Sequence, residues 1–136
     1  MKHILRLTMV LFDTHSLIWY THDESKLTKR GLELIDKARQ SIAYVSAISF
    51  WEIALKVKNS QIDIGMNVAE YKSRIRKLGF IEILSVTGDD YIDSVQLDFS
   101  HKDPVDRVLI IQAQNRNLKL LTKDQVIKKF YEKCVW

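Results

Sequence analysis

The chain has one cysteine, one proline and four glycines in 136 residues, and each scarcity removes a class of protein. A lone thiol, Cys134, permits no intramolecular disulfide, so the fold must be held by its core, as suits a reducing compartment. With so little proline and glycine there is no linker, repeat or low-complexity segment. A composition of 46% hydrophobic and 28% charged residues supplies enough apolar side chains to offset the ordering entropy of a compact chain. No stretch reaches the roughly 18 apolar residues of a membrane span. The opening "MKHILRLTMVLF" has a faint signal-sequence character, but Arg6 interrupts the apolar run and no small-residue cleavage site follows. Neither H-E-x-x-H nor a Cys/His spacing supports zinc, which leaves all four histidines, His15 and His101 among them, outside the catalytic set. The expectation is one soluble, cytoplasmic domain over residues 1–136 with no membrane association. Its net charge of +4 mildly favours a polyanionic partner.

What is present is an alternation of short aliphatic runs with longer helical patterns, the signature of βαβ units around a parallel sheet. Strands are read at 9–13, 42–46, 80–85 and 118–122, with a further short one at 133–136. Between them, "LTKRGLELIDKAR" places Leu27, Leu34, Ile35 and Ala38 on one helical face, and "NVAEYKSRIRKLG" does the same with Val68, Tyr71, Ile75 and Leu78 before closing at Gly79. A further helix starts at "TGDDYIDSVQL", capped by Thr87, with Asp89 and Asp90 complementing its dipole. Residues 1–8 are read as an extension of the first strand or a loose tail, because Met9 is an equally good start.

Acidic residues stand at the strand ends. Asp13 is the only formal charge between Arg6 and Asp23 and reads as a helix cap or as a functional acid. Glu52, in "SAISFWEIALK", is the only one between Arg39 and Lys56, amid apolar neighbours that are expected to bury most of the helix circumference. It either pairs with Lys56 four residues on or binds a metal. In "DPVDRVLIIQAQ", Asp103 fits the N-cap, Pro104 the first helical position and Asp106 the third residue. Asp103 alone suffices for capping, so Asp106 is left to point elsewhere. Asp124 again sits where a strand meets a helix, with Thr122 as a cap before it.

In a parallel α/β sheet the strand-to-helix junctions share the carboxyl edge, where such folds bind ligands. Asp13, Glu52, Asp106 and Asp124 are therefore expected in one cleft, where their mutual repulsion raises one or more pKa values. A hard divalent cation removes that conflict. All-oxygen donors suit Mg²⁺ or Mn²⁺, and such an ion promotes hydrolysis of a phosphodiester without using the ribose 2'-OH.

The same residues carry a resemblance. "LFDTHSLIWY", "SAISFWEIALK" and "HKDPVDRVLIIQAQNRNLKLLTKD" together resemble the successive motifs of the PIN-domain nucleases, specifically the VapC-type toxins of toxin-antitoxin pairs, over residues 9 to 130. Matched position by position, Asp13, Glu52, Asp106 and Asp124 take the places of the family's four acidic ligands. Thr14 and Ser46 match the small hydroxyl residues that flank such sites, and Asp103 leaves the third ligand ambiguous, with Asp106 favoured. The resemblance implies a three-layer α/β/α sandwich on a five-stranded, mostly parallel sheet. It also implies Mg²⁺- or Mn²⁺-dependent endoribonuclease activity on RNA, a homodimer, and a VapB-type antitoxin entering the active-site groove.

Other groups read less specifically. Lys72, Arg74, Arg76 and Lys77, and Lys128, Lys129 and Lys133, form basic runs that serve as RNA contacts or as solvated helix faces. Arg107, beside Asp106, is the better placed partner for a phosphate or carboxylate. Trp19, Tyr20, Phe50 and Trp51 either stack bases or fill the core or a dimer contact. Two rival functions use the same acids: a phosphoryl-transfer module with Asp13 as nucleophile, and a non-catalytic partner-binding domain in which the acids only cap helices. The first lacks the usual D-x-D, since position 15 is His.

Overall fold

Val10 and Phe12 point to one side of their strand and Leu11 to the other, and all three are fully buried. This is the pattern of a strand covered on both faces, and it dictates a three-layer architecture. The computed structural model, which describes residues 9–136, has that architecture. The strands are β1 (Met9–Phe12), β2 (Ile42–Ser46), β3 (Ile81–Leu84), β4 (Lys119–Leu121) and β5 (Cys134–Val135). All pair in parallel, in the order β3-β2-β1-β4-β5. β2 matches its expected run, and the other four lie within theirs, trimmed by one or two residues. The reading of residues 1–8 falls outside the described residues.

Seven α-helices connect them: α1 (Thr14–His22), α2 (Lys29–Ala38), α3 (Ala47–Lys58), α4 (Val68–Lys77), α5 (Gly88–Gln96), α6 (Pro104–Arg116) and α7 (Gln125–Phe130). One side of the sheet buries Val10, Phe12, Ala43 and Val45 against Leu17, Leu34, Ile35, Ile53, Tyr71 and Ile75 from α1 to α4. The other buries Leu11 and Leu120 against Val108, Leu109, Ala113 and Ile127 from α6 and α7. Helix α5 packs on α6.

The local signals explain the helix ends. Thr87 and Asp90 form a reciprocal capping box, each side chain accepting from the other residue's backbone N–H. Helix α4 closes through Gly79, whose φ of +83° is the left-handed conformation that favours glycine. Asp103 accepts from Val105 N at 2.9 Å ahead of Pro104. Asp124, rather than Thr122, caps α7, accepting from Val126 N and Ile127 N, while the Thr122 hydroxyl accepts from Asp124 N.

Two burial expectations fail. Only Ile48, Ser49 and Ile53 of α3 are buried, while Trp51 is 55% exposed and Leu55 is also exposed. Apolar density cannot distinguish a buried circumference from a face left for another surface. Leu78, expected on the core face of α4, is 49% exposed and lines a shallow groove with Tyr20, Met66 and Tyr71.

Candidate active site

The strand order reverses beside β1: the chain moves outward through β2 and β3, then returns to the opposite side as β4 and β5. The carboxyl ends of β1 and β4 thus flank a switch point, where neighbouring connections diverge and leave a crevice. Ser16, fully buried, stitches the two ends together. Its hydroxyl lies 3.0 Å from both Asp13 O and Leu121 O, and Asp13 N donates to Leu121 O at 3.1 Å.

The crevice is a cleft of about 350 Å³ whose wall includes Asp13, Glu52, Asp103, Asp106 and Asp124. All four acids expected to converge do so, and Asp103 joins them. They arrive by different routes. Asp13 and Asp124 are the N-caps of α1 and α7, directly after β1 and β4. Glu52 sits in the second turn of α3, after β2. Asp106 comes from the second of two helices between β3 and β4, because α6 runs antiparallel to β4 and starts at the carboxyl edge.

Their environments differ. Asp13 is buried and accepts from Ser16 N at 2.7 Å. Burial pushes its pKa above the ordinary carboxylate value, against hydrogen bonds from Thr122 and Ser16 that favour the charged form. Burial also raises Asp106, aided by the charges of Asp103 and Asp13, from 3.8 to about 7, although a hydrogen bond to His101 opposes the shift. Glu52 lies 3.8 Å from Lys56, so the expected ion pair is present and itself lines the cleft. Lys56, Lys123, His15 and Trp19 complete the rim, with the Lys123 ammonium 5.8 Å above the Trp19 ring.

The supporting residues divide. Thr14 lines the cleft and donates to Ser49 Oγ at 3.0 Å. Ser46 is fully buried and caps α3 by accepting from Ile48 N at 3.2 Å, and it is not part of the cleft wall. Thr122 lies beneath the cleft, between Asp13 and Asp124. Arg107, read from the sequence as a phosphate or carboxylate partner, instead donates to five backbone carbonyls, those of Ser94, Val95, Leu97, Phe99 and His101. Its neighbour Asp106 turns into the cleft while the guanidinium turns toward α5. Of the aromatics, Trp19 lines the cleft, Tyr20 packs between Phe12 and Phe80, and Phe50 packs on Tyr71.

Sequence reasoning set His101 aside for want of a zinc spacing, yet its Nε2 lies 2.7 Å from Asp106 Oδ2. One ligand atom from each of His101, Asp103 and Asp106 falls within 4.8 Å of the others, so these residues fit a metal ion. The available signal was position, since His101 sits two residues before the helix cap Asp103.

The raised Asp106 pKa has a consequence for stability. Between about pH 4 and pH 7 Asp106 holds its proton in the folded protein more than in the unfolded chain, so its contribution to metal-free stability falls as pH rises through that window and levels off above it. Thermal melts in EDTA are expected to show this decline, and Asp106→Asn is expected to make it shallower, leaving the part due to Asp13. A wild-type melting temperature that climbs from pH 5 to pH 7 would contradict the assigned environment.

The model of the PIN domain family matches residues 10–133. The chain belongs to the PIN-domain family. It is 24% identical over 123 residues to Ribonuclease VapC22 of Mycobacterium tuberculosis (strain ATCC 25618 / H37Rv), covering 90% of this chain and 92% of that protein. Its PIN fold superposes, with a TM-score of 0.63 and 22% identity, on a chain of a toxin-antitoxin complex from Klebsiella pneumoniae, covering 93% of this chain and 96% of that one. The fold expected from the sequence, a three-layer sandwich on a five-stranded sheet, is that of this PIN domain, and the sheet is wholly parallel.

Proposed function

We propose that this PIN domain, as a single unit over residues 1–136, is an Mg²⁺- or Mn²⁺-dependent endoribonuclease and the toxin of a toxin-antitoxin pair. One observation carries the reading: acids from separate segments of the chain face one cleft, where burial raises the pKa of Asp13, and burial together with the charges of Asp103 and Asp13 raises that of Asp106. Carboxylates so arranged favour either protons or a hard cation bound through oxygen. The non-catalytic alternative accounts for Asp13, Asp103 and Asp124 as caps and for Glu52 and Asp106 through Lys56 and His101, but it gives no reason for all five acids to line one cleft.

Asp13, Glu52, Asp106 and Asp124, all on the cleft wall and with Asp103 close enough to Asp106 to join them, would hold the ion. It would supply neutralisation of the scissile phosphodiester and a water acidic enough for in-line attack at neutral pH. The protein's own groups do the rest. Asp13, at the end of β1, and Asp106, in the first turn of α6, would fix where that ion sits in the cleft. Lys56 and Lys123 on the rim offset the charge of flanking phosphates, so binding weakens as salt rises. Water attacks phosphorus and an ester oxygen leaves, so the ribose 2'-OH takes no part and no cyclic phosphate forms.

A VapB-type antitoxin is the protein partner this reading requires, RNA the substrate, and the cytoplasm the compartment. No helix of the described residues is long and apolar enough to cross a membrane. The homodimer would use the apolar face of α3 and α5, where Trp51, Tyr91, Ile92 and Val95 are exposed and Val95 is 79% so. Sedimentation of the purified protein as a monomer would exclude it.

Incubation with a mixed RNA pool tests the activity. Cleavage is expected with Mg²⁺ or Mn²⁺, and none with EDTA or after Asp106→Asn. Cleavage that survives chelation, or that leaves cyclic phosphate ends, overturns the mechanism.

A further inference from the structure

The segment between α5 and α6 carries His101 to the cleft, and its backbone has no helix or strand to hold it. Arg107 holds it instead. Its Nε donates to Ser94 O at 2.8 Å, Nη1 to Phe99 O at 2.5 Å and His101 O at 3.1 Å, and Nη2 to Leu97 O at 2.6 Å and Val95 O at 3.3 Å. A guanidinium has five N–H donors, so its capacity is used in full. The carbonyls of Ser94 and Val95 belong to the last turn of α5, whose carbonyls lack intrahelical partners and where a cation also meets the negative end of the helix dipole.

The loop fixed in this way ends on an imidazole in a defined pose. The His101 ring meets Phe99 edge-on, with centroids 5.5 Å apart, and Phe99 packs on Phe130 at 4.7 Å. His101 Nε2 then lies 2.7 Å from Asp106 Oδ2. An ionised carboxylate only accepts hydrogen bonds, so Nε2 is the donor when Asp106 is charged.

We propose that His101 is a positioning residue: it holds Oδ2 of Asp106 through Nε2–H and leaves Oδ1 as the oxygen presented to a divalent cation, while Arg107 keeps the loop in place. The inference rests on the metal-dependent activity proposed above. It differs from direct ligation, in which an imidazole nitrogen would bond to the ion itself. Hydrogen bonds of this kind orient ligating carboxylates, and their removal typically weakens metal binding about 10- to 100-fold.

Mn²⁺ alone serves as the probe, titrated into the full chain by electron paramagnetic resonance. His101→Ala is expected to weaken Mn²⁺ binding about 10- to 100-fold, and His101→Gln, which keeps an N–H donor of similar reach, to restore most of it. Pulsed spectra of wild-type protein are expected to show no directly bonded nitrogen. Three results overturn the proposal alone, provided wild type binds Mn²⁺ and cleaves RNA: unchanged affinity in His101→Ala, no rescue by Gln, or a nitrogen coupling that vanishes with the imidazole. Wild-type protein that neither binds Mn²⁺ nor cleaves RNA removes the nuclease reading itself, and this inference with it.

Discussion

Asp13→Asn is expected to lower RNA cleavage about a thousandfold or more, because a metal-held phosphate loses several kcal/mol of charge stabilisation. The same change is expected to raise the melting temperature of metal-free protein, by roughly 3–5 °C for each kcal/mol of buried-charge cost it removes. The two effects have one cause. Asp13 is buried, and burial penalises its charge more than the hydrogen bonds from Thr122 and Ser16 relieve it. An Asn side chain still accepts from Ser16 N, so the α1 cap survives, and the Thr122 hydroxyl can turn to accept the new amide hydrogen. The substitution thus removes the cost of a buried charge without removing its local structural role. Calorimetry in EDTA beside a cleavage assay reads both. A melting temperature that is unchanged or lower without metal counts against the cost assigned to the buried Asp13 charge, whatever happens to activity.

Arg107→Met is expected to cost about 3 kcal/mol, since hydrogen bonds from a charged donor contribute roughly 1.5–3 kcal/mol each and water recovers part of the five lost at a partly buried site. That corresponds to a fall in melting temperature of roughly 10 °C. Arg107→Lys is expected to recover little, because an ammonium places three donors at one point whereas the five carbonyls surround a plane. A melting temperature for Arg107→Met within about 2 °C of wild type, below the effect of 1 kcal/mol, would show that the clamp contributes little.

Arg107 also marks the limit of sequence reasoning. Placed next to Asp106, it reads as a phosphate or carboxylate partner. Adjacent helical residues point about 100° apart, however, and here one turns to the cleft and the other to α5. Glu52 shows a related limit. Its apolar neighbours suggest deep burial, yet Trp51 is 55% exposed, because a run of apolar residues does not say which of them the core can accommodate. His101 escaped notice because its partner is a carboxylate, a pairing that no fixed spacing encodes. By contrast, the caps at Asp103 and Thr87 and the Gly79 terminus were readable, since each depends on residues within a few positions.

The sequence by itself determined the alternation of strand and helix, the two-sided burial of β1 and the presence of acids at the strand ends, for these follow from local geometry and from the period of apolar residues. Tertiary structure alone decided that β4 returns to the far side of β1, that Asp103 joins the other acids, and that one cation clamps a loop while its neighbour faces the cleft. The physical reason is that contacts such as Ser16 to Leu121 span 105 positions, and their direction depends on how whole layers pack.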